Sequence, residues 1–372
     1  MNRKMAVGIT HSKDSFDTIL NYFVRMNPTF PISLIVVKDR FDTALPKFCD
    51  RFFEEVWVIR RKEDIFEFTN SETSQLKLRE LLPYMHNNGL WKNIALLVAL
   101  FKQFETLIIW DDDQYLIPLE ESPDWCQPFY ETLQLGYDVV EARGYGYQHP
   151  IPVNIREYIP MEILFALEEV LCICYEAATP HFLTRAEEIF LPFLGAVEEY
   201  EVSDRFHTLQ FISGGSIGLN LKSQLPLFYQ PPGSISRGND VFFSCAFRSM
   251  KKRKLANNYL HDGLTIYNWD SLRKWSAVTA THATREQATE TFFRVIQGWL
   301  SYASLLLRLE FPQTFSEKLH TIRAKLHQLV HPYGIFYLQF DKYCQRLETD
   351  LQGYNRANEL WKQLLFEIKA AS

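Results

Sequence analysis

Apolar positions in the first 110 residues fall into short unbroken runs separated by stretches of helical period. Met5 to Thr10 is a run of strand length, and Ser12, Asp14 and Asp17 follow where a helix through Phe23 would be capped and started. Ile32 to Val37, bounded by Pro31 and Asp39, is rich in β-branched residues and predicts a second strand. Glu55 to Ile59 and Thr106 to Trp110 predict a third and a fourth, with helices over Glu72 to Leu82 and Leu90 to Phe104 between them. Strands spaced by helices require crossover connections, which make a mostly parallel sheet. Ligands of such sheets bind beyond the carboxyl ends of the strands. His11, Lys38 and Asp39, and whatever follows Trp110 are therefore the first candidates for a ligand site.

The middle of the chain is less regular. Asp138 to Ala142 predicts a strand, followed by an aromatic, glycine-containing stretch, Arg143 to Pro150, that reads as a loop, with Arg143 to His149 a candidate lid. Met161 to Ala178 predicts a helix, Ser216 to Leu221 a strand after a Gly-Gly turn, and Asp240 to Met250 a helix. From about Thr284 the period is helical throughout. Phe292, Val295, Ile296 and Trp299 make one apolar stripe, Leu319, Ile322 and Leu326 a second, and Leu360, Leu364 and Ile368 a third. Residues 1–283 are expected to form an α/β unit, with a nucleotide-binding half over about 1–120 and an acceptor half over about 121–283. Residues 284–372 are expected to form an α-helical C-terminal subdomain, which is where peripheral membrane contact or self-association would be sought.

Composition narrows the function classes. With 47% hydrophobic and 23% charged residues in 372, the chain has the make-up of a folded globular protein. A net charge of −6 argues against a protein that grips nucleic acid through phosphates. No apolar run is long enough to span a bilayer and no signal segment is evident, so a soluble cytoplasmic protein is expected. The six cysteines lack paired metal-ligand spacing, and Cys172 and Cys174 lie in an apolar helical pattern that reads as buried packing. Reduced thiols are expected.

The chemistry concentrates at Ile108-Ile109-Trp110-Asp111-Asp112-Asp113, an apolar strand that runs into three carboxylates. Side chains of an extended chain alternate, so Asp111 and Asp113 share one side and Asp112 takes the other. Paired carboxylates at a strand's end suit a hard divalent cation that shares its oxygen ligands with substrate phosphates.

Asn88-Gly89-x-x-Lys92-Asn93, a helix, the strand into Trp110, and Asp111-x-Asp113 together resemble the nucleotide-sugar-dependent glycosyltransferases of the GT-A fold, family 2 in particular. The likeness covers roughly residues 5–120 in order and spacing. It implies an α/β fold with a GT-A-like, mostly parallel sheet flanked by helices. It further implies transfer of a sugar from a nucleoside-diphosphate sugar to a hydroxyl acceptor, assisted by Mn²⁺ or Mg²⁺. Thr10, His11, Lys38, Asp39, Asn88, Gly89, Lys92, Asp111 and Asp112 would then line the donor, with Lys92 or Arg237 adding positive charge. Asp111 and Asp113 would hold the metal, Asp111 alternatively the ribose or sugar.

Two later segments extend the resemblance. Ser213-Gly214-Gly215-Ser216 stands where such transferases place an acceptor-side loop, which implicates Gly214 and Gly215. Arg237-Gly238-Asn239-Asp240 resembles the family's paired acids at a helix start. Asp240 matches the catalytic base of inverting members, and Asn239, on the acceptor side, replaces an acid common there. His261, after Asp240 and before an Asp-Gly turn, resembles a late metal-ligating histidine. Inversion is slightly favoured on these matches. The acceptor's class is open among glycan, lipid, protein and small metabolite. Trp91, Trp110, Tyr115, Tyr145 and Tyr147 are read as packing residues before sugar platforms. A nucleotidyltransferase of similar sheet topology is a rival reading, but Gly8 to Lys13 lacks its repeated glycines. A noncatalytic nucleotide-binding scaffold is another, and the intact acids speak against it.

Overall fold

The computed structural model describes residues 5–11, 31–38, 45, 49–69, 71–111, 114–116, 124–146, 151–152, 154–175, 183–184, 200–201, 216–233, 243, 246–247, 249–261 and 283–371. The expected helix over Ser12 to Phe23 and most of that over Asp240 to Met250 lie outside them; Phe243 and Ala246 within the latter are helical.

Four strands form a parallel half-sheet: β1 (Met5–His11), β2 (Ser33–Lys38), β3 (Val56–Ile59) and β4 (Thr106–Asp111). A short helix α1 (Cys49–Phe52), then α2 (Glu72–Leu81) and α3 (Asn87–Phe101), lie in the connections. These strands are apolar on both sides because both faces are covered. Leu107 and Ile109 join a core cluster that includes Ile94 to Phe101 of α3, while Ile108 and Trp110 join a second cluster on the opposite face.

Beyond β4 the sheet becomes mixed. The further elements are β5 (Gln114–Leu116), α4 (Gln127–Gln134), β6 (Val139–Gly146), α5 (Met161–Tyr175), β7 (Tyr200–Glu201), β8 (Ser216–Asn220) and β9 (Lys252–His261). The nine strands run β3-β2-β1-β4-β8-β6-β9-β5, with β7 on β9. β8 is antiparallel to β4 and β6, β6 and β9 are parallel, and β5 is antiparallel to β9. The result is an α/β fold, a mixed sheet flanked by helices, with a helical C-terminal region.

That region comprises α6 (Arg285–Glu310), α7 (Phe315–His327), α8 (Ile335–Gln345) and α9 (Leu347–Ala370). The three apolar stripes correspond to α6, α7 and α9; α8 is additional. A capping box starts α6: Thr284 accepts from the Gln287 N–H, and the Gln287 side chain accepts from the Thr284 N–H. Trp361 of α9 donates its indole N–H to the Leu225 carbonyl at 2.8 Å. One continuous apolar cluster takes in both Ile35 of the sheet and Leu360 of α9.

Arg143 to Gly146, expected as the start of a loop, extend β6, because β9 supplies a parallel partner as far as Gly146. A lid beginning at Arg143 is thereby ruled out. No helix among the described residues is long and apolar enough to cross a membrane. The five described cysteines are free thiols, and Cys174 is buried as its apolar setting predicts.

Candidate functional site

The site is built on the first half of α3. His86, extended at φ −132° and ψ 151°, precedes the helix without capping it through its side chain. The helix begins three residues before the expected Leu90, so Asn87, Asn88 and Gly89 form its first turn. A methyl group on Gly89 would stand 2.4 Å from the Phe228 carbonyl oxygen, which explains a glycine in a helix. One turn later Asn93, fully buried, donates its amide N–H to that same carbonyl at 2.9 Å and accepts the Phe228 N–H at 2.9 Å. Gly89 and Asn93 thus share one helix face, given over to docking the Leu225–Pro231 segment.

Lys92 is directed elsewhere. Its side chain is only 4% exposed, and its Nζ lies 3.7 Å from Oδ2 of Asp111, whose side chain is 30% exposed. Strand alternation accounts for the meeting. Asp111 continues the face of Leu107 and Ile109, the side packed against α3. The chain leaves α3 and enters β4 after a four-residue connection, so α3 runs back across the strand. Its beginning overlies the carboxyl end of β4.

Other candidates gather at this end in register. Thr10 stands opposite Asp111, and His11 opposite Lys38, both across β1. His261, the last residue of β9, pairs with Gln114, immediately after Asp113, and with Gly146 on its other side. The backbone therefore brings the late histidine next to the acidic segment, though 150 residues separate Asp111 from it in sequence. For Thr10, His11, Lys38, Asn88 and His261 the backbone alone is described. Asp39, Asp112, Asp113, Gly214, Gly215, Asn239 and Asp240 lie outside the described residues.

Among the described residues no three metal-ligating side chains stand together. A partly exposed Asp111 carboxylate ends β4, and the backbone of His261 is in register with Gln114, one residue past Asp113. Trp110, fully buried, meets Trp125 edge-on with centroids 5.2 Å apart, which makes it a packing residue. Phe228 had no local signal in the sequence, since it is recognised only by what it touches.

No protein-family model matches the chain, and no curated protein matches it in sequence. Among solved structures the chain is similar to glucosyl-3-phosphoglycerate synthase from Mycobacterium tuberculosis, solved with Mn²⁺, UDP-glucose and phosphoglyceric acid. The two are 12% identical over 79% of this chain and 80% of that one, with a TM-score of 0.37. The chain is also similar to a protein of Desulfovibrio desulfuricans G20 assigned to the nucleotide-diphospho-sugar transferases. That pair is 10% identical over 80% of this chain and 98% of the other, with a TM-score of 0.36. At these levels the likeness concerns layout and says nothing of substrate.

Proposed function

We propose that the chain is a nucleotide-sugar-dependent glycosyltransferase that moves a sugar from a nucleoside-diphosphate donor to a hydroxyl acceptor with divalent metal assistance. The observation that carries the reading is the pairing of buried Lys92 with Asp111 at the carboxyl end of β4, where α/β sheets bind ligands. The register of His261 beside Gln114 supports it.

A departing diphosphate gathers negative charge that must be met by fixed positive groups. Lys92 is held ready for this by burial in α3, so it needs no reorganisation when charge develops. Asp111, solvent-facing on one side, is suited to hold the ribose or share in the metal site. Asp113, with Asp111 and His261, would hold Mn²⁺ or Mg²⁺, which when bound neutralises the diphosphate. Asp240 is the proposed base, accepting the proton of the acceptor hydroxyl in an inverting transfer.

The test is a panel of UDP-, GDP- and TDP-sugars with Mn²⁺ or Mg²⁺. One donor should be slowly hydrolysed, and Asp113→Ala should abolish that. If no sugar nucleotide binds or turns over with metal present, the reading is wrong. Asp240→Asn should keep donor binding and lose transfer.

A further inference from the structure

A helix on the surface of a folded protein turns apolar residues inward and polar ones outward. α8 does the first and not the second. Phe336, Phe340 and Tyr343 are buried, and Phe336 meets Phe292 and Phe293 of α6 with ring centroids 6.2 and 5.1 Å apart. Ile335, Leu338 and Lys342 share another side of the helix. The first two are apolar, yet 39% and 63% exposed. Just before α8, Val330 is 69% exposed. Its carbonyl accepts the N–H groups of Tyr333 at 2.8 Å and Gly334 at 3.2 Å, and the Gly334 carbonyl accepts the Leu338 N–H at 3.4 Å. Two successive turns therefore align Val330 with Leu338, and Ile335 stands beside them. Seven large apolar side chains are exposed among the described residues, and three of them fall within these nine positions. Exposed apolar residues scattered singly are ordinary, whereas a cluster marks an interaction surface.

The charge around this ridge is one-sided. From Lys318 to Arg346 the chain carries five lysines and arginines and one acid, Asp341, in a protein of net charge −6. Asp341 is held by Arg323 at 2.6 Å, and Glu169 of α5 by Lys325 at 2.6 Å. Lys342, exposed, stands one turn beyond Leu338 on the same side. Size then separates the partners. A stable contact between proteins takes roughly 800 Å² from each, which three side chains on one turn do not supply. Seating a few apolar side chains at the headgroup boundary of an anionic bilayer, with a lysine near the phosphates, takes no more than this.

We propose that the turn between α7 and α8 is a peripheral membrane contact, in which Val330, Ile335 and Leu338 enter the headgroup layer of an anionic bilayer and Lys342 meets its lipid phosphates. The contact is independent of the glycosyltransferase reading. It selects a bilayer, and not a second copy of the chain, as the partner of this surface.

The test is co-sedimentation of the full chain with vesicles of phosphatidylcholine alone and of phosphatidylcholine with phosphatidylglycerol in equal parts. The chain should bind the mixed vesicles more tightly, and about 1 M salt, where the Debye length is about 3 Å, should remove that preference. Val330→Ser combined with Leu338→Ser should weaken binding to the mixed vesicles about tenfold to a hundredfold, since each methylene withdrawn from water is worth about fourfold. Lys342→Gln should cost about fivefold on mixed vesicles, the share of one lysine near an anionic surface, and nothing on phosphatidylcholine alone. These positions are exposed, so the urea midpoint should not move. As a control, Leu76→Ser with Phe366→Ser removes two exposed apolar side chains elsewhere and should leave binding unchanged. Absence of binding to mixed vesicles, or equal binding by the Val330→Ser, Leu338→Ser variant, overturns the proposal, as does an equal loss in the control. A dimer found by light scattering and dissolved by the same two substitutions overturns it in favour of self-association.

Discussion

The Lys92–Asp111 pair is buried on one side only, and that asymmetry has a measurable consequence. At 3.7 Å two unit charges attract by about 4 kcal/mol at an effective dielectric of about 20, and by about 1 kcal/mol in water. Asp111→Asn removes the carboxylate while Lys92, 4% exposed, stays where water cannot solvate it. Breaking a buried pair from that side costs about 3–5 kcal/mol. Lys92→Met keeps the aliphatic stem and leaves Asp111, which solvent reaches, so its stability change should stay within about 1 kcal/mol. Activity should not follow stability. Lys92→Met is expected to lose roughly a hundredfold in donor turnover, the scale of one preorganised electrostatic contact. Urea unfolding followed by circular dichroism supplies the first quantity and donor hydrolysis the second. Equal destabilisation by both substitutions, or full turnover in Lys92→Met, would refute the reasoning.

Three further outcomes are expected. Gly89→Ala forces a methyl against the Phe228 carbonyl and should cost about 1–3 kcal/mol by overpacking, read from the urea midpoint. Asn93→Ala leaves the Phe228 N–H and C=O unpaired in the interior and should cost about 3–5 kcal/mol, more than Asn93→Asp, which still accepts one of the two bonds. His86 has its pKa held below the ordinary 6.5, chiefly by burial and then by Lys62, against a bond to the Pro83 carbonyl that raises it. Its contribution is therefore fully present above pH 6.5 and is lost as pH falls through the lowered folded value, because the unfolded chain binds the proton first. The melting temperature should drop more between pH 7.5 and 5.5 in the unmodified chain than in His86→Phe; equal drops would contradict this.

Legibility in the sequence tracked how local each feature is. β1, β2 and β4 are apolar on both faces, so their runs stand out without knowledge of neighbours. β9 does not: Lys252, Arg253 and Lys254 at its start look like a solvated stretch. Lys254 is buried because Glu141, its neighbour in register on β6, pairs with it at 2.9 Å, and that partner is 113 residues away. β5 is three residues long, too short for any period, and exists because β9 supplies its ladder. The first turn of α3, Asn87 to Gly89, lies before the expected helix start at Leu90, and Asn-Asn-Gly disfavours helix. Docking against Phe228 overrides that preference.

For the candidate site, alternation along β4 was enough to place Asp111 on one side of the strand and to make its end the locus of chemistry. Which group meets Asp111, which backbone Asn93 grips, and which strand brings His261 alongside Gln114 came only from the tertiary structure. Periodicity along a chain encodes the faces of a strand or helix, since neighbouring residues share one backbone geometry. Contacts between distant segments depend on which faces bury one another, and that is settled by packing across the whole sheet.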